Sequence, residues 1–223
     1  MPAILGHMEP KALIVAFTSR DSQAQQEVDR LATSVGALLP CPWRTAHIQE
    51  ALEADGEGTV ILPLLIQKGG LWRRLASSGK PVSAPPLSCE DDAHQVAQIL
   101  SSSLEEKEGH CHILVAHGEE GGHIEELDML QHHLRDDMVL VTLKEQLCWK
   151  SLSVDSHNVT LTPFLLGYGH HARKEVEGLV ADHLRSLGHS VAVNRKGLAC
   201  LSSDFARIFA RHSDEELDKL ALG

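Results

Sequence analysis

Two short apolar runs set the pattern of the first half of the chain. Residues 11–17 (KALIVAF) and 59–65 (TVILPLL) are almost continuous in hydrophobic side chains, which is typical of strands buried on both faces of a parallel sheet. Apolar residues at helical spacing follow the first run over residues 22–35. The pair Gly69 and Gly70 leads from the second run into a predicted helix over residues 72–76. The pattern therefore predicts the order strand, helix, strand, helix.

The second half of the chain repeats this pattern at an offset of 100 residues. Residues 113–117 (ILVAH) align with residues 13–17 (LIVAF), and residues 159–176 align with residues 59–76 without a gap. Identical residues in the longer block include Pro63 and Pro163, Gly69 and Gly169, and Arg73 and Arg173. Their common register favours an internal duplication.

A polar, charged segment separates the two halves. Residues 101–109 (SSSLEEKEG) end in glycine and follow a predicted helix over residues 91–104, as expected for a linker. We therefore predict an N-terminal α/β lobe over residues 1–104 and a C-terminal α/β lobe over residues 105–223. Strands that alternate with helices predict a parallel sheet flanked by helices in each lobe.

Composition excludes several classes of function. The formal net charge of -11 argues against nucleic-acid binding, which favours a basic face. No apolar run approaches the roughly 18 residues of a membrane span, and the first residues lack the blocks of a secretory signal, so we expect a cytoplasmic protein without membrane contact. The five cysteines form no C-x-x-C pair, and no G-x-x-x-x-G-K-[ST] loop is present. Neither a zinc ribbon nor a nucleotide site is indicated.

The chain is rich in histidines, and most of them lie in the second half. Of the 15 histidines, eleven fall between His110 and His189. His117 ends the predicted strand over residues 113–117 and precedes Gly118, so we expect its side chain at the edge of the sheet where ligands bind. The alternative interpretation is a histidine that only ends a strand. Phe17 is the equivalent residue in the first half.

A pair of histidines opens the predicted helix that follows the strand over residues 159–166. We expect His170 and His171 to face the same cleft as His117, because both lie outside the apolar stripe of their helix. This stripe consists of Val176, Leu179, Val180, Leu184 and Leu187. The alternative interpretation is a solvated helix start.

These residue types suit a metal site. Neutral imidazoles at neighbouring strand ends can hold a borderline ion such as Co²⁺, Fe²⁺, Ni²⁺ or Zn²⁺, and an imidazole can also accept a proton near neutral pH. Glu145 follows the predicted strand over residues 138–143, whose end we expect between those carrying His117 and His171. It is the candidate carboxylate at the site. We interpret the other nearby glutamates as a solvated helix face; they are Glu119, Glu120, Glu125 and Glu126.

Three motifs along the chain resemble the class II chelatases of the anaerobic cobalamin pathway, the sirohydrochlorin cobaltochelatases. They are K-A-L-I-V-A-F at residues 11–17, A-H-G at residues 116–118 with His123 downstream, and T-P-F-L-L-x-x-G-x-H-A at residues 162–172. The resemblance spans almost the whole chain. It implies a chelatase-like α/β fold of two similar lobes with a tetrapyrrole cleft between them, and two cleft histidines plus a glutamate around the metal. By position, the histidines are His117 and His171.

The sequence departs from the family pattern at two places. The family has a glutamate directly after the middle strand, where this chain has Lys144, with Glu145 one residue later. In the first lobe, Leu65 stands where the family usually shows a histidine. These departures bear on activity more than on the fold.

The resemblance implies insertion of Co²⁺, or alternatively Fe²⁺ or Ni²⁺, into sirohydrochlorin without ATP. The metal is then a substrate, and no organic cofactor is implied. His117, His171 and Glu145 are expected to bind the metal and accept the pyrrole protons. Because the ring is a polycarboxylate and the protein is acidic, local basic groups are needed. We expect Arg173 and Lys144 to contact the ring, together with Tyr168.

Two other functions remain open. A non-catalytic carrier of a tetrapyrrole or a metal would keep the fold without efficient insertion, and the lysine at position 144 favours it. A metal-dependent hydrolase would use the same histidines to activate water, but it predicts more carboxylates at strand ends than the sequence offers. A homo-oligomer is compatible with the sequence, which contains no sign for or against one.

Overall fold

Two parallel sheets, each flanked by helices, make up an α/β fold, as predicted. The computed structural model describes residues 12–16, 19–54, 58–119, 124–144 and 149–222. The strands are β1 (Ala12–Val15), β2 (Trp43–Ala46), β3 (Val60–Pro63), β4 (His110–Ala116), β5 (Met138–Thr142), β6 (Asn158–Phe164) and β7 (Ser190–Val193). The first sheet has the order β2-β1-β3 and the second has the order β5-β4-β6-β7.

The helices are α1 (Ser22–Gly36), α2 (Ile48–Glu53), α3 (Gly70–Ala76), α4 (Glu90–Ser103), α5 (Glu125–His133), α6 (Ala172–Val180), α7 (Ala181–Ser186) and α8 (Asp204–Leu222). Helices α1, α3, α4 and α6 begin within about two residues of the predicted positions, whereas α2, α5 and α8 were not predicted. The carboxylate of Asp21 caps α1 by accepting hydrogen bonds from the backbone N–H groups of Gln23 and Ala24, which have no partner within the helix. None of the helices in the described ranges combines the length and apolar character needed to cross a bilayer.

The internal repeat is present in the pairing of the strands. The first strand of each half, β1 or β4, lies inside its sheet. The pairing of β1 with β3 has the same register as the pairing of β4 with β6, at an offset of 100 residues. The pairs are Ala12 with Val60 and Val15 with Pro63 in the first sheet, and His112 with Thr160 and Val115 with Pro163 in the second. The edge strands β2 and β7 were not predicted, because their partly exposed residues do not form a buried apolar run.

Two helices cross between the halves of the chain. Helix α4 packs against the second sheet, where its Val96 and Leu100 share a core with Leu114 and Phe164. Helix α8, near the C-terminus, returns to the first sheet and packs its Phe209 against β1 and β3. The boundary between residues 1–104 and 105–223 stays a prediction, and α4 and α8 each pack across it. Buried aromatic and aliphatic contacts therefore join the lobes. Burial of each large side chain stabilises the fold by about 1.5–3 kcal/mol.

A buried ionic network fixes α8 to the start of α4. Asp92 of α4 accepts hydrogen bonds from Arg211 and, at 3.0 Å, from Nε2 of His212. The other ring nitrogen of His212 lies 2.8 Å from the carbonyl oxygen of Ala84. Both ring nitrogens thus face acceptors, which favours the imidazolium form. Burial opposes this charge, but the hydrogen bonds to Asp92 and Ala84 outweigh burial and raise the pKa of His212.

Helix α6 has π-helical hydrogen bonding, which changes the predicted apolar stripe. Val176, Val180 and Leu184 are buried as expected, but Leu179 is 56% exposed and Leu187 is 55% exposed. A π-helical turn is wider than an α-helical turn because its hydrogen bonds span five residues. The side chain at position 179 is therefore rotated out of the stripe, and position 187 lies at the end of α7. The inclusion of these two leucines in the stripe was wrong.

Candidate functional site

A large cavity lies where the carboxyl ends of the two sheets meet. Its volume is about 1180 Å³, above the range of about 300–1,000 Å³ that is typical of small-molecule sites. Loops after β1, β3, β4, β5 and β6, helix α1 and the first turns of α3 and α6 form its wall. Much of that wall is apolar, with Leu64, Leu65, Ile66, Leu71, Phe164, Leu165 and Leu166 among its residues. The cavity suits a large ligand that presents an apolar face.

His117 stands on the cavity wall directly after the central strand β4. The loop that follows turns at Gly118, which has a positive φ of 75°. A Cβ atom there would lie 3.0 Å from Cβ of Thr142, so only glycine lets the chain pass β5 at this point. Nδ1 of His117 lies 3.0 Å from the carbonyl oxygen of Gly118. Because a carbonyl only accepts, Nδ1 carries the proton, and the lone pair of Nε2 is available for a ligand.

His171 meets His117 from the neighbouring strand. It lies in the first helical turn after β6, just ahead of α6, and is exposed. The two rings are 4.9 Å apart between centroids, in an edge-to-face arrangement with 79° between the planes. The sequence placed both histidines at one edge of the sheet, and the structure brings them together there.

Glu175 completes a three-residue group that the sequence analysis missed. Its Oε2 lies 3.1 Å from Nδ1 of His171, one helical turn away. Three possible ligand atoms lie within 4.8 Å of one another, one each from His117, His171 and Glu175. Ligand atoms around a tetrahedral ion are about 3.3 Å apart at bond lengths near 2.0 Å, so modest side-chain rotation would let the three share an ion. The signal in the sequence was the spacing of four residues between His171 and Glu175.

The remaining predicted metal ligand is Glu145. Glu145 lies outside the described residues. Lys144, the residue before it, is described and lines the cavity. Its backbone N–H donates to the carbonyl oxygen of His117 at 3.1 Å. His170 also lines the cavity, with its ring centroid 5.9 Å from that of His171.

Tyr168 and Arg173, two predicted substrate contacts, lie beside the cavity and do not line it. Tyr168 is only 2% exposed, and its hydroxyl donates to the carboxylate of Glu177. Burial and this hydrogen bond raise the pKa of Tyr168 to about 12. The guanidinium of Arg173 lies over the Tyr168 ring, 5.4 Å from its centroid. Both side chains are therefore engaged within the protein, and their contact with a ring stays a prediction.

The two lobes are joined next to the cavity by two related ion pairs. Arg73 of α3 pairs with Glu119 of the second lobe at 3.1 Å, and Arg173 of α6 pairs with Asp21 of the first lobe at 3.2 Å. The two arginines are equivalent in the internal repeat. A buried carboxylate adds a third link, since Glu27 of α1 accepts hydrogen bonds from the backbone N–H groups of Tyr168 and Gly197 at 2.6 and 3.2 Å.

Comparison with known proteins identifies the fold. No protein-family model and no curated protein sequence matches the chain. Among solved structures, CbiX, the terminal enzyme of siroheme biosynthesis in denitrifying bacteria, is 21% identical with a TM-score of 0.54. The alignment covers 92% of this chain and 98% of CbiX.

Two further structures share the fold. The sirohydrochlorin chelatase SirB from Bacillus subtilis subspecies spizizenii, solved in complex with cobalt, is 12% identical with a TM-score of 0.63, and the alignment covers 93% of this chain and 95% of SirB. A multi-domain protein from Deinococcus radiodurans with structural similarity to chelatases is 15% identical with a TM-score of 0.60. The alignment covers 91% of this chain and 53% of that protein. The chain thus has the fold of the chelatases.

Proposed function

We propose that this protein is a chelatase that inserts a divalent metal ion into sirohydrochlorin or a closely related tetrapyrrole. One observation carries the proposal: two imidazoles on the wall of a mainly apolar cavity of about 1180 Å³ converge with a carboxylate to within 4.8 Å. The fold shared with SirB and CbiX supports the same activity.

The proposed site can perform both tasks that metal insertion requires. Nε2 of His117, a ring nitrogen of His171 and the carboxylate of Glu175 hold the incoming ion and leave coordination positions open for the ring nitrogens. As each bond from a protein ligand to the metal is exchanged for a bond to a ring nitrogen, two pyrrole N–H protons leave the ring. The released imidazoles and carboxylate accept these protons and pass them to water. No ATP is consumed.

Cobalt is the metal we propose first, with Fe²⁺ and Ni²⁺ as alternatives. Two imidazoles and one carboxylate form a donor set that suits borderline first-row ions. The crystallised complex of SirB with cobalt supports the same choice. Glu145 remains part of the proposal as an additional ligand.

Absorbance of the ring tests the activity directly. Purified protein is mixed with sirohydrochlorin and Co²⁺, and metallation is followed in the parent and in His117→Ala and His171→Ala. We expect each variant to lose at least about 100-fold in rate, the scale of removing a positioned proton acceptor. His94→Ala is the matched control, because His94 lies on the exposed side of α4, where its ring bonds Gln98 and meets the edge of His133, outside the cavity. Rates in both site variants equal to that of the control would refute the proposal.

A carrier without insertion activity is the second candidate. Lys144 stands on the cavity wall at the position where the resembled family has a glutamate, and a cation there disfavours the approach of a metal ion. A carrier would bind sirohydrochlorin in the same assay without the absorbance change of metallation. Turnover by the parent protein would exclude this candidate.

A further inference from the structure

Most arginines of the chain are already engaged in ion pairs. Of the eleven arginines, eight pair with a carboxylate of the protein; these are Arg44, Arg73, Arg135, Arg173, Arg185, Arg195, Arg207 and Arg211. Arg30 lies beside Cys200. Among the arginines, only the side chains of Arg20 and Arg74 make no ion pair or hydrogen bond with any residue in the described part of the chain.

Arg20 differs from Arg74 in its place on the molecule. Arg20 lines the large cavity, and Arg74 does not. Arg20 belongs to the loop between β1 and α1, so it reaches the cavity from the first lobe. His117 and His171 reach it from the second lobe. An unpaired cation on the wall of a mainly apolar cavity, in a protein with a net charge of -11, indicates an anionic ligand.

The loop that carries Arg20 is held firmly on both sides of it. Ser19 donates its backbone N–H to Oε1 of Gln25 at 2.7 Å, and its hydroxyl oxygen accepts from the backbone N–H of Asp21 at 3.1 Å. Asp21 caps α1 and is also bound by Arg173 of the second lobe. The backbone at residues 19–21 is therefore ordered by its own contacts, while the guanidinium of Arg20 is left free to bind a ligand.

We infer that Arg20 binds a peripheral carboxylate of the tetrapyrrole, and that Arg173 positions the loop of Arg20 by holding Asp21. The inference rests on the proposed function. The planar guanidinium matches a carboxylate with two parallel hydrogen bonds. The apolar wall takes the face of the ring while Arg20 takes one charged substituent at its edge. Arg173, which we expected to contact the ring, acts through Arg20.

Binding of the metal-free ring tests the role of Arg20. Sirohydrochlorin is titrated into the protein, and its fluorescence gives the Kd for the parent, Arg20→Gln and Arg74→Gln. Both variants lose one positive charge from an unpaired arginine, so Arg74→Gln controls for net charge. We expect about tenfold weaker binding in Arg20→Gln, the scale of one charge-assisted hydrogen-bonded pair, and no change in Arg74→Gln. The fully esterified ring should bind the parent and Arg20→Gln equally.

Two further measurements separate the possible outcomes. Co²⁺ binding without ring should be unchanged in Arg20→Gln, because the metal ligands lie on the other lobe. If the parent binds the ring and inserts metal while Arg20→Gln and Arg74→Gln have the same Kd, the inference fails and the proposed function stands. If the parent binds no ring, both fail.

The positioning role of Arg173 has its own test. In a double-mutant cycle, Arg173→Gln should weaken ring binding in the parent but have no further effect in the Arg20→Gln background, because it acts only through Arg20. A purely structural role would weaken binding by the same factor in both backgrounds. Equal factors would therefore overturn this part of the inference.

Discussion

The substitution Asp92→Asn should reveal how strongly the C-terminal helix is fixed to the molecule. The Asp92 side chain is almost fully buried and accepts hydrogen bonds from His212, Ser88 and Cys89 at 3.0, 2.9 and 3.2 Å, and from Arg211. The substitution leaves the buried charge of His212 without its partner. Removing one member of a buried pair costs about 3–5 kcal/mol. Arg211 is partly exposed and can be solvated again, so we expect a loss of about 3 kcal/mol, near the lower end of that range.

The cost should depend on pH in a definite direction. The folded pKa of His212 is raised, so its contribution to stability is complete below the unfolded value of about 6.5 and fades as the pH rises through the folded pKa. Burial opposes the charge of Asp92, but the hydrogen bond from His212 outweighs it and lowers the pKa of Asp92. Its contribution is therefore present above about pH 4 and is lost only as the pH falls through the folded value. The penalty of Asp92→Asn should be larger at pH 6 than at pH 9.

Urea denaturation at both pH values measures this penalty. At a slope of about 2 kcal/mol per molar urea, a loss of 3 kcal/mol lowers the midpoint by about 1.5 M. Asp91→Asn is the matched control, because Asp91 is the exposed neighbour in the same helical turn and should cost only a few tenths of a kcal/mol through the helix dipole. A penalty that is equal at the two pH values would refute the charged state assigned to His212.

Three further outcomes follow from single contacts. Glu175→Gln should weaken Co²⁺ binding about 10–100-fold in a direct titration, and an unchanged affinity would remove Glu175 from the ligand set. Gly118→Ala should lower the Co²⁺ affinity and the insertion rate, because the new Cβ would lie 3.0 Å from Thr142. Gly79→Ala is the control: Gly79 has the same φ of 75° but open space around it, so affinity and rate should be unchanged. Phe209→Ala should cost about 3–5 kcal/mol in the free energy of unfolding, since Phe209 is 1% exposed, and a cost below 1 kcal/mol would contradict the packing of α8 on the first sheet.

Local patterns were enough to locate the central strands and the two histidines. The apolar runs at β1, β3, β4 and β6 are short and continuous, because these strands are buried on both faces of the sheet. Parallel strands also bring their carboxyl ends to one edge. For that reason His117 and His171, which follow two such strands, could be expected to meet although 54 positions separate them (171 − 117).

Other features of the site were not readable in this way. Glu175 is one of many acidic residues at helical spacing from a histidine, and only the fold places it near His117 as well. The exposure of Leu179 depends on the π-helical turn of α6, which has no clear sequence signature. The helical period of 3.6 residues assigned this leucine to the buried stripe.

The alternation of the apolar strands with helices, the duplication and the imidazole pair were determined by the sequence alone, because each depends on local periodicity or on the direction of parallel strands. The tertiary structure decided which charged groups are already paired and which are free. Arg173 meets Asp21 across 152 positions and Arg211 meets Asp92 across 119, whereas Arg20 has no such partner among the described residues. Such pairings arise only when distant segments pack together, so no local pattern in the chain could distinguish a structural arginine from one available to a ligand.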